Sequence, residues 1–190
     1  MNGSISKQEA RSYAIKFWQS LPNQRRTELI TKALALVDNL VKQNPLIRIF
    51  LTTTYEFELD ILNAVQSHFV CDLYLPIIKN NRQMDFVGYR INGSLERLQL
   101  GRFGILEPSE NKNKIQVAQE GDLMLIPCLA VNQNRFRLGR GGGFFDMYFY
   151  DNVDARNCKK VGILPVELVE INFSEDYHDI KLDELVTDKY

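Results

Sequence analysis

Hydrophobic residues in the first quarter of the chain recur every three to four positions, and this spacing predicts two amphipathic helices. Ser6 and Glu9 have the spacing of a capping box, so the first helix should begin there. Pro22 is expected to open the second helix, which should run to about Gln43. The apolar faces are expected to consist of Ala10, Tyr13, Ala14, Phe17 and Trp18 in the first helix and Leu29, Ile30, Ala33, Leu34, Val37 and Leu40 in the second.

Short apolar runs farther along the chain predict strands separated by helices. The run at 122–127 is the strongest, because it is almost continuously apolar and ends at a proline, as is typical of a central parallel strand. Other strands are predicted at 47–51, 72–76, 84–89, 160–164 and 184–187, and helices at 56–68 and from 144 to 150. This alternation predicts an α/β fold with a mostly parallel central sheet flanked by helices in three layers.

Residues 92–120 are turn-rich and more polar than the rest of the chain, which raises the question of whether a domain boundary lies there. We interpret them as an excursion with short strands, so the whole chain, 1–190, is predicted to be one domain. Ligands of such sheets bind beyond the carboxyl ends of the strands.

Composition narrows the classes of partner. Hydrophobic residues make up 45% of the chain and charged residues 25%, which is ordinary for a globular protein. A net charge of −1 gives no general basic field, so a nucleic-acid partner is not expected. The three cysteines are widely spaced, which predicts reduced thiols in a cytoplasmic protein. No apolar run is long enough to cross a bilayer, so we expect no membrane partner. We also expect the protein to be a monomer.

A glycine-rich stretch between residues 136 and 148 carries the most specific chemistry. Its glycines at 139 and 141–143 are flanked by Arg137 and Arg140 and followed by Asp146. Such a loop can direct several backbone N–H groups at one oxyanion, and the arginines offer forked donors for phosphate. Asp146 could hold the metal ion that accompanies a nucleotide. The alternative is a flexible surface turn, which the flanking charges disfavour.

The loop does not match the GxxxxGK[ST] phosphate motif, since no Lys-Ser/Thr pair follows its glycines. With the Gly-Ile-Leu-Glu-Pro string at 104–108 and the strand at 122–127, in this order, it resembles the 5-formyltetrahydrofolate cyclo-ligase family. The resemblance covers nearly the whole chain. It implies an enzyme that uses ATP and Mg²⁺ to convert 5-formyltetrahydrofolate into 5,10-methenyltetrahydrofolate through a phosphorylated formyl group, with release of ADP and phosphate.

The resemblance also implies roles for individual residues, with Arg140 as the catalytic group. ATP would be bound by Lys7, Arg11, Arg137, Leu138, Gly139, Arg140, Gly141, Gly142, Gly143, Phe144 and Phe145. The folate would be bound by Leu51, Glu56, Arg140, Gly141, Gly142, Gly143 and Phe144. Mg²⁺ would be bound by Asp146 and Asp179.

Each assignment has a plainer alternative. Lys7 and Arg11 are also what a solvated helix face would carry. Asp146 could be an acid that stabilises the start of a helix through its dipole. Asp179 could be a turn residue, and Glu56 a solvated acid at the start of a helix.

Phe144 and Phe145 depart from the resemblance, because the family usually has tyrosines at both positions. Phenylalanine keeps the stacking surface and loses both hydroxyl groups. A non-catalytic relative that binds nucleotide or folate and acts as an interaction module therefore stays open as a second interpretation. A third, an enzyme for phosphosugars or acyl-CoA with similar architecture, rests on fold analogy alone.

Overall fold

The structure, a computed structural model, describes residues 4–53, 59–109 and 115–189. The helices are α1 (Lys7–Ser20), α2 (Asn23–Gln43), α3 (Ile61–His68) and α4 (Phe144–Asp151). The strands of the first half are β1 (Ile49–Phe50), β2 (Leu73–Ile78), β3 (Met84–Ile91), β4 (Ser94–Leu95), β5 (Leu98–Leu100) and β6 (Leu106–Pro108). Those of the second half are β7 (Ile115–Gln116), β8 (Leu123–Ile126), β9 (Ala130–Val131), β10 (Arg137–Leu138), β11 (Lys159–Ile163) and β12 (Glu184–Val186).

One mixed sheet forms the centre of the molecule. Its strand order is β12-β11-β8-β1-β2-β3-β4, and β7 pairs with β3 outside this path. The strands from β12 to β2 run parallel to one another, whereas β3 is antiparallel to β2, β4 and β7. The connection between β2 and β3 is too short for a parallel crossover, which needs a dozen or more residues. The predicted α/β class with a mostly parallel sheet flanked by helices is confirmed.

Helix α1 begins with the predicted capping box. The Ser6 hydroxyl accepts a hydrogen bond from the Glu9 N–H at 3.2 Å, and the Glu9 carboxylate accepts one from the Ser6 N–H at 2.9 Å. Ala10, Ala14 and Trp18 are buried, but Tyr13 is 48% exposed, so its assignment to the apolar face was wrong. Successive helical residues are rotated by about 100°, which turns Tyr13 away from the side on which Ala14 packs.

Helix α3 starts later than its predicted residue 56. Its N-cap is Asp60, whose carboxylate accepts the Asn63 N–H at 3.3 Å. Leu59 and Asp60 have no helical structure, and residues 54–58 lie outside the described part of the chain. The aspartate cap therefore sets the beginning of this helix.

The excursion at 92–120 contains short strands, as expected. Its strands β4 and β7 extend the main sheet through β3. The other two, β5 and β6, form a small antiparallel hairpin. Across the described ranges, no helix is long and apolar enough to span a membrane.

Helix α1 is fixed to the body of the protein by its last turn. The indole N–H of Trp18 donates to the carbonyl of Leu129, at 3.0 Å, and the side chain is fully buried. This attachment holds the other end of α1, which carries Lys7 and Arg11, beside the carboxyl ends of the parallel strands.

Candidate active site

A cavity of about 550 Å³ opens at the carboxyl ends of the central strands. Thr52 follows β1, Pro76 and Ile78 belong to the end of β2, and Pro127 follows β8; all four line the cavity. This is the place expected for a ligand site in a sheet of this kind.

The glycine loop forms one wall of the cavity and leads from β10 into α4. Gly141 has a φ of +96° and Gly143, the N-cap of α4, has a φ of +71°. Residues other than glycine rarely adopt these φ angles. The left-handed backbone at 141 and 143 therefore explains why both positions are glycine. The loop thus presents the start of α4, with its unpaired N–H groups and positive dipole end, to the cavity.

Arg137 is buried beneath this loop and holds Asp146. Its Nη2 lies 3.1 and 3.2 Å from the two carboxylate oxygens of Asp146, and its Nη1 donates to the carbonyl of Pro127 at 3.1 Å. The Arg137 side chain is only 6% exposed, and its Nε has no hydrogen-bond partner among the described residues. Arg137 therefore positions Asp146, and both of its terminal nitrogens are already bound to protein oxygens.

Gly139 makes this arrangement possible. A Cβ atom at residue 139 would lie 2.7 Å from the Nη1 of Arg137, which is closer than real contacts allow. Gly139 also accepts, through its carbonyl, a 2.9 Å hydrogen bond from the Nε of Arg11. The loop is thereby connected to α1 on one side and to Arg137 on the other.

Lys7 and Arg11 lie on the cavity side of α1, as the resemblance implied. The Nζ of Lys7 lies 2.6 Å from a carboxylate oxygen of Asp176 and 2.5 Å from one of Asp179. Partial burial works against the charge of Lys7, but the hydrogen bonds to these aspartates outweigh it and raise its pKa. The solvated-face alternative does not describe this pair.

Carboxylates that line the cavity could hold a metal ion. Asp146 and Asp179 both line the cavity, with side chains 19% and 10% exposed. Asp176, His178 and Asp179 offer ligand atoms within 4.8 Å of one another. Carboxylate oxygens are the ligands that Mg²⁺ takes from proteins, and each oxygen of Asp146 keeps a lone pair beside its bond to Arg137. The residues present therefore fit Mg²⁺.

Another part of the cavity lining is apolar and aromatic. Phe144 packs edge-on against Phe103, with ring centroids 5.9 Å apart, and Phe145 packs in the same manner against Phe86 at 6.4 Å. Met84 and Ile105 complete this side. The wall offers surface for a flat ring system.

The Gly-Ile-Leu-Glu-Pro string contributes Ile105, which directly precedes β6, to the cavity lining. The carboxylate of Glu107 is buried and accepts the N–H of Ile78 at 3.1 Å, which joins β6 to β2. Burial raises the pKa of Glu107, partly offset by this hydrogen bond and by the charge of Arg102. Gly101 packs directly on this carboxylate and leaves no room for a side chain.

Two residues implied by the resemblance do not contribute side chains to the described site. Leu51 is fully buried in the core, and its neighbour Thr52 lines the cavity instead. Glu56 lies outside the described residues. Their contacts to substrate stay predictions, and any contact by Leu51 would have to come from its backbone.

The other implied residues, Leu138, Arg140, Gly142 and the remainder of the loop, all line the cavity. Thr52, Arg82, Phe103 and Asp176 are among the cavity residues that sequence reasoning missed. Phe103 had one usable signal, since it directly precedes the glycine of the string at 104–108. Asp176 had only its position three residues before Asp179.

Comparison with known proteins agrees with this geometry. The model of the 5-formyltetrahydrofolate cyclo-ligase family matches residues 6–188. A 5-formyltetrahydrofolate cyclo-ligase of Haemophilus influenzae is 28% identical over 141 residues, which cover 68% of this chain and 74% of that protein. A probable 5-formyltetrahydrofolate cyclo-ligase of Schizosaccharomyces pombe is 31% identical over 61% of each chain, less than two thirds of its length.

A solved structure shares the fold. The NMR structure of the 5,10-methenyltetrahydrofolate synthetase of Aquifex aeolicus superposes with a TM-score of 0.73 at 26% identity. The match covers 97% of this chain and 90% of that protein.

Proposed function

The chain belongs to the 5-formyltetrahydrofolate cyclo-ligase family, and on that premise we propose that it converts 5-formyltetrahydrofolate into 5,10-methenyltetrahydrofolate at the expense of ATP. The observation that carries the proposal is the convergence on one cavity of the glycine loop with Lys7 and Arg11 from α1 and Asp146 from α4. These groups come from distant parts of the chain and together suit phosphoryl transfer, which depends on positioning and charge neutralisation.

The polar end of the cavity is the proposed ATP site. Residues 139–145 line this end, and their backbone N–H groups would bind the phosphates, while Lys7, Arg11 and Arg140 would supply positive charge. Mg²⁺ held by Asp146 and Asp179 would neutralise part of the phosphate charge. Arg137 contributes by fixing Asp146, to which its Nη2 donates.

The apolar end is the proposed folate site. Phe103 and Phe144 offer their edge-to-face pair to a ring of the folate, and Ile78 and Met84 supply apolar surface. With ATP at the loop and folate at this wall, the formyl oxygen faces the γ-phosphate across the start of α4. The loop residues from Arg140 to Phe144 then border both substrates.

The chemistry proceeds in two steps. The formyl oxygen forms a bond to the γ-phosphorus and ADP leaves, which turns a poor leaving group into a phosphate. N10 of the folate then attacks the formyl carbon and gives up its proton, which the phosphate can accept. The phosphate departs with the C–O bond electrons and leaves the methenyl bridge. The apolar part of the lining would keep water from the activated carbon.

The direct test mixes purified protein with 5-formyltetrahydrofolate, ATP and Mg²⁺ and follows the absorbance of methenyltetrahydrofolate. We expect product that requires both ATP and the metal. A folded protein that gives no ATP-dependent product would refute the activity.

A non-catalytic relative that binds nucleotide or folate is the second candidate. It is favoured by Phe144 and Phe145, which cannot donate the hydrogen bonds that tyrosines would make. Calorimetry separates the two, because this candidate requires nucleotide binding without turnover. Restoring the hydroxyl groups in Phe144→Tyr/Phe145→Tyr would then raise turnover from the background.

A further inference from the structure

The turn between β2 and β3 has an unusual residue at its tip. The Gln83 N–H donates to the carbonyl of Asn80 at 3.2 Å, which closes a four-residue turn. Its two central residues, Asn81 and Arg82, have φ angles of +58° and +61°. Two successive left-handed residues in a tight hairpin are the signature of a type I′ turn.

Arginine is a poor choice for this position on conformational grounds. Type I′ turns favour asparagine followed by glycine, because residues with a Cβ are strained in the left-handed region. Asn81 fits that preference and Arg82 does not. A strained residue that persists in a fold is a reason to look for a function of its side chain.

The side chain of Arg82 lies at the cavity beside the start of α4. It lines the cavity, and its Cδ and Nη1 are 3.8 and 4.0 Å from the position that a Cβ on Gly143 would take. Gly143 is the N-cap of α4. The guanidinium therefore adds a full positive charge next to the positive end of the helix dipole, where an anion would be stabilised by both.

The guanidinium of Arg82 has no hydrogen-bond or ion-pair partner within the described ranges. Its neighbours differ in this respect. Arg11 donates to Gly139, Arg102 donates to the carbonyl of Lys79, and Lys79 pairs with Asp85. Arg82 lines the cavity, whereas Lys79 does not.

We propose that Arg82 binds an oxyanion of a bound substrate at the mouth of the cavity. The assignment rests on the proposed function for the identity of that substrate. Two sources carry the required chemistry: the phosphates of ATP and the carboxylates of the glutamate part of the folate. A guanidinium fork suits either group.

The test exploits the strain at this position. In Arg82→Gly the turn becomes Asn-Gly, so the melting temperature should be unchanged or higher while the affinity for the oxyanion falls about tenfold or more. Arg82→Lys keeps the charge without the fork and should lie between the two. Arg97→Ala is the matched control, since Arg97 is exposed, lies outside the cavity lining and has no described partner.

Calorimetry distinguishes the sources without turnover. The titrants are a non-hydrolysable ATP analogue, inorganic tripolyphosphate, 5-formyltetrahydrofolate and 5-formyltetrahydropteroate, which lacks the glutamate. A tenfold loss for the ATP analogue and tripolyphosphate assigns Arg82 to phosphate. A loss for the folate, but none for the pteroate, assigns it to the carboxylates.

The proposal is overturned if Arg82→Gly binds all four titrants within twofold of the wild type, or if Arg97→Ala weakens binding equally. Failure of the proposed function has a different signature, since a wild type that binds these compounds but forms no methenyl product would refute catalysis alone. A fall in the melting temperature of Arg82→Gly would show that the side chain is structural, which also contradicts the proposal.

Discussion

At the scale of single residues, the buried contact between Arg137 and Asp146 determines what each can do. Both terminal nitrogens of Arg137 donate to protein oxygens, so this residue holds Asp146 in place, and its own contact with ATP stays a prediction. Asp146 remains partly exposed to the cavity while its orientation is fixed from behind. A carboxylate held in this way is suited to a metal ion, because the supporting residue removes its rotational freedom.

Asp146→Asn should raise the Mg²⁺ concentration needed for half-maximal turnover by about 10–100-fold, the loss typical of a disturbed metal site. The substitution also leaves the buried charge of Arg137 without its ionic partner, so stability should fall. Initial rates measured over a Mg²⁺ titration check the first effect, and urea denaturation checks the second. Asp38→Asn, in an exposed pair with Lys42, is the control. An unchanged metal requirement would remove Asp146 from the metal site.

Arg140→Ala should reduce turnover far more than stability. The side chain is exposed on the glycine loop, and exposed substitutions usually change the free energy of unfolding by about 0.5 kcal/mol or less. Loss of one charged donor at a transition state should lower kcat/KM by about 100-fold or more. Measurements of kcat/KM and melting temperature on the same preparation test this prediction. A large fall in the melting temperature would show that Arg140 has a structural role.

Gly139→Ala should damage the site from beneath. The new Cβ would displace the Arg137 guanidinium, which is pinned between Pro127 and Asp146, at a cost of about 1–3 kcal/mol in the free energy of unfolding. Turnover should fall as Asp146 loses its fixed orientation. Gly93→Ala is the comparison, because residue 93 has a φ of +79° but open space around it. That variant should lose stability and keep its activity, and equal activity losses would contradict the explanation.

At the scale of elements, an ion-pair group ties α2 to the end of the chain. The Nη2 of Arg25 lies 2.6 Å from the carboxylate of Glu167, and its Nε pairs with Asp188 just after β12. Lys189 also contacts Glu167, at 2.9 Å. The group fixes α2 against the edge of the sheet.

The free energy of unfolding should therefore depend on pH in a defined acidic range. The hydrogen bond from Arg25 lowers the pKa of Glu167 to about 2 from its usual 4.5. A lowered pKa in the folded state stabilises the protein above about pH 4.5, and this contribution is lost as the pH falls from 4.5 to 2. Urea denaturation across this range should show a shallower pH dependence for Glu167→Gln than for the wild type. Glu120→Gln, at an exposed residue with no described partner, should retain the wild-type slope.

The elements were largely predictable because each has a local signal. The capping box at Ser6 and the apolar run of β8 are short-range patterns, and both were placed correctly. The direction of β3 depends on the length of the turn before it, and Tyr13 depends on which face of α1 meets the sheet. These are tertiary properties that periodicity alone does not determine.

The site was predictable to a smaller extent. The glycine loop is recognisable in the sequence because its left-handed backbone positions, Gly141 and Gly143, are occupied by glycine. Arg82 and Asp176 enter the cavity through turns whose residues look ordinary in sequence. The burial of Arg137 had no signal either, since arginines beside glycines indicate phosphate as readily as support for a carboxylate.

At the scale of the whole molecule, ligands should stabilise the fold by mass action. A ligand at 100 times its Kd adds about 2.7 kcal/mol, which for a protein of this size corresponds to a rise of roughly 5–11 °C in melting temperature. We expect the ATP analogue and 5-formyltetrahydrofolate each to produce such a rise in a thermal-shift measurement. Adenosine, which lacks phosphates, should give a much smaller one. No shift with either ligand at saturating concentration would contradict a preformed cavity.

The expected monomer and the expected cytoplasmic location stay predictions. Light scattering in solution tests the oligomeric state.

The contact of Lys7 with Asp179 joins residues 172 positions apart, and this distance has a consequence for synthesis on the ribosome. Translation proceeds at about 5–20 residues per second, so Asp179 is synthesised roughly 10–30 s after Lys7. During that interval α1 can form, and Trp18 can reach Leu129 only after a further 111 residues have been made, while the cavity still lacks the segment that carries Asp176 and Asp179. Nucleotide can therefore assist folding only after nearly the whole chain has emerged, and a prematurely terminated chain has no complete site with which to sequester folate.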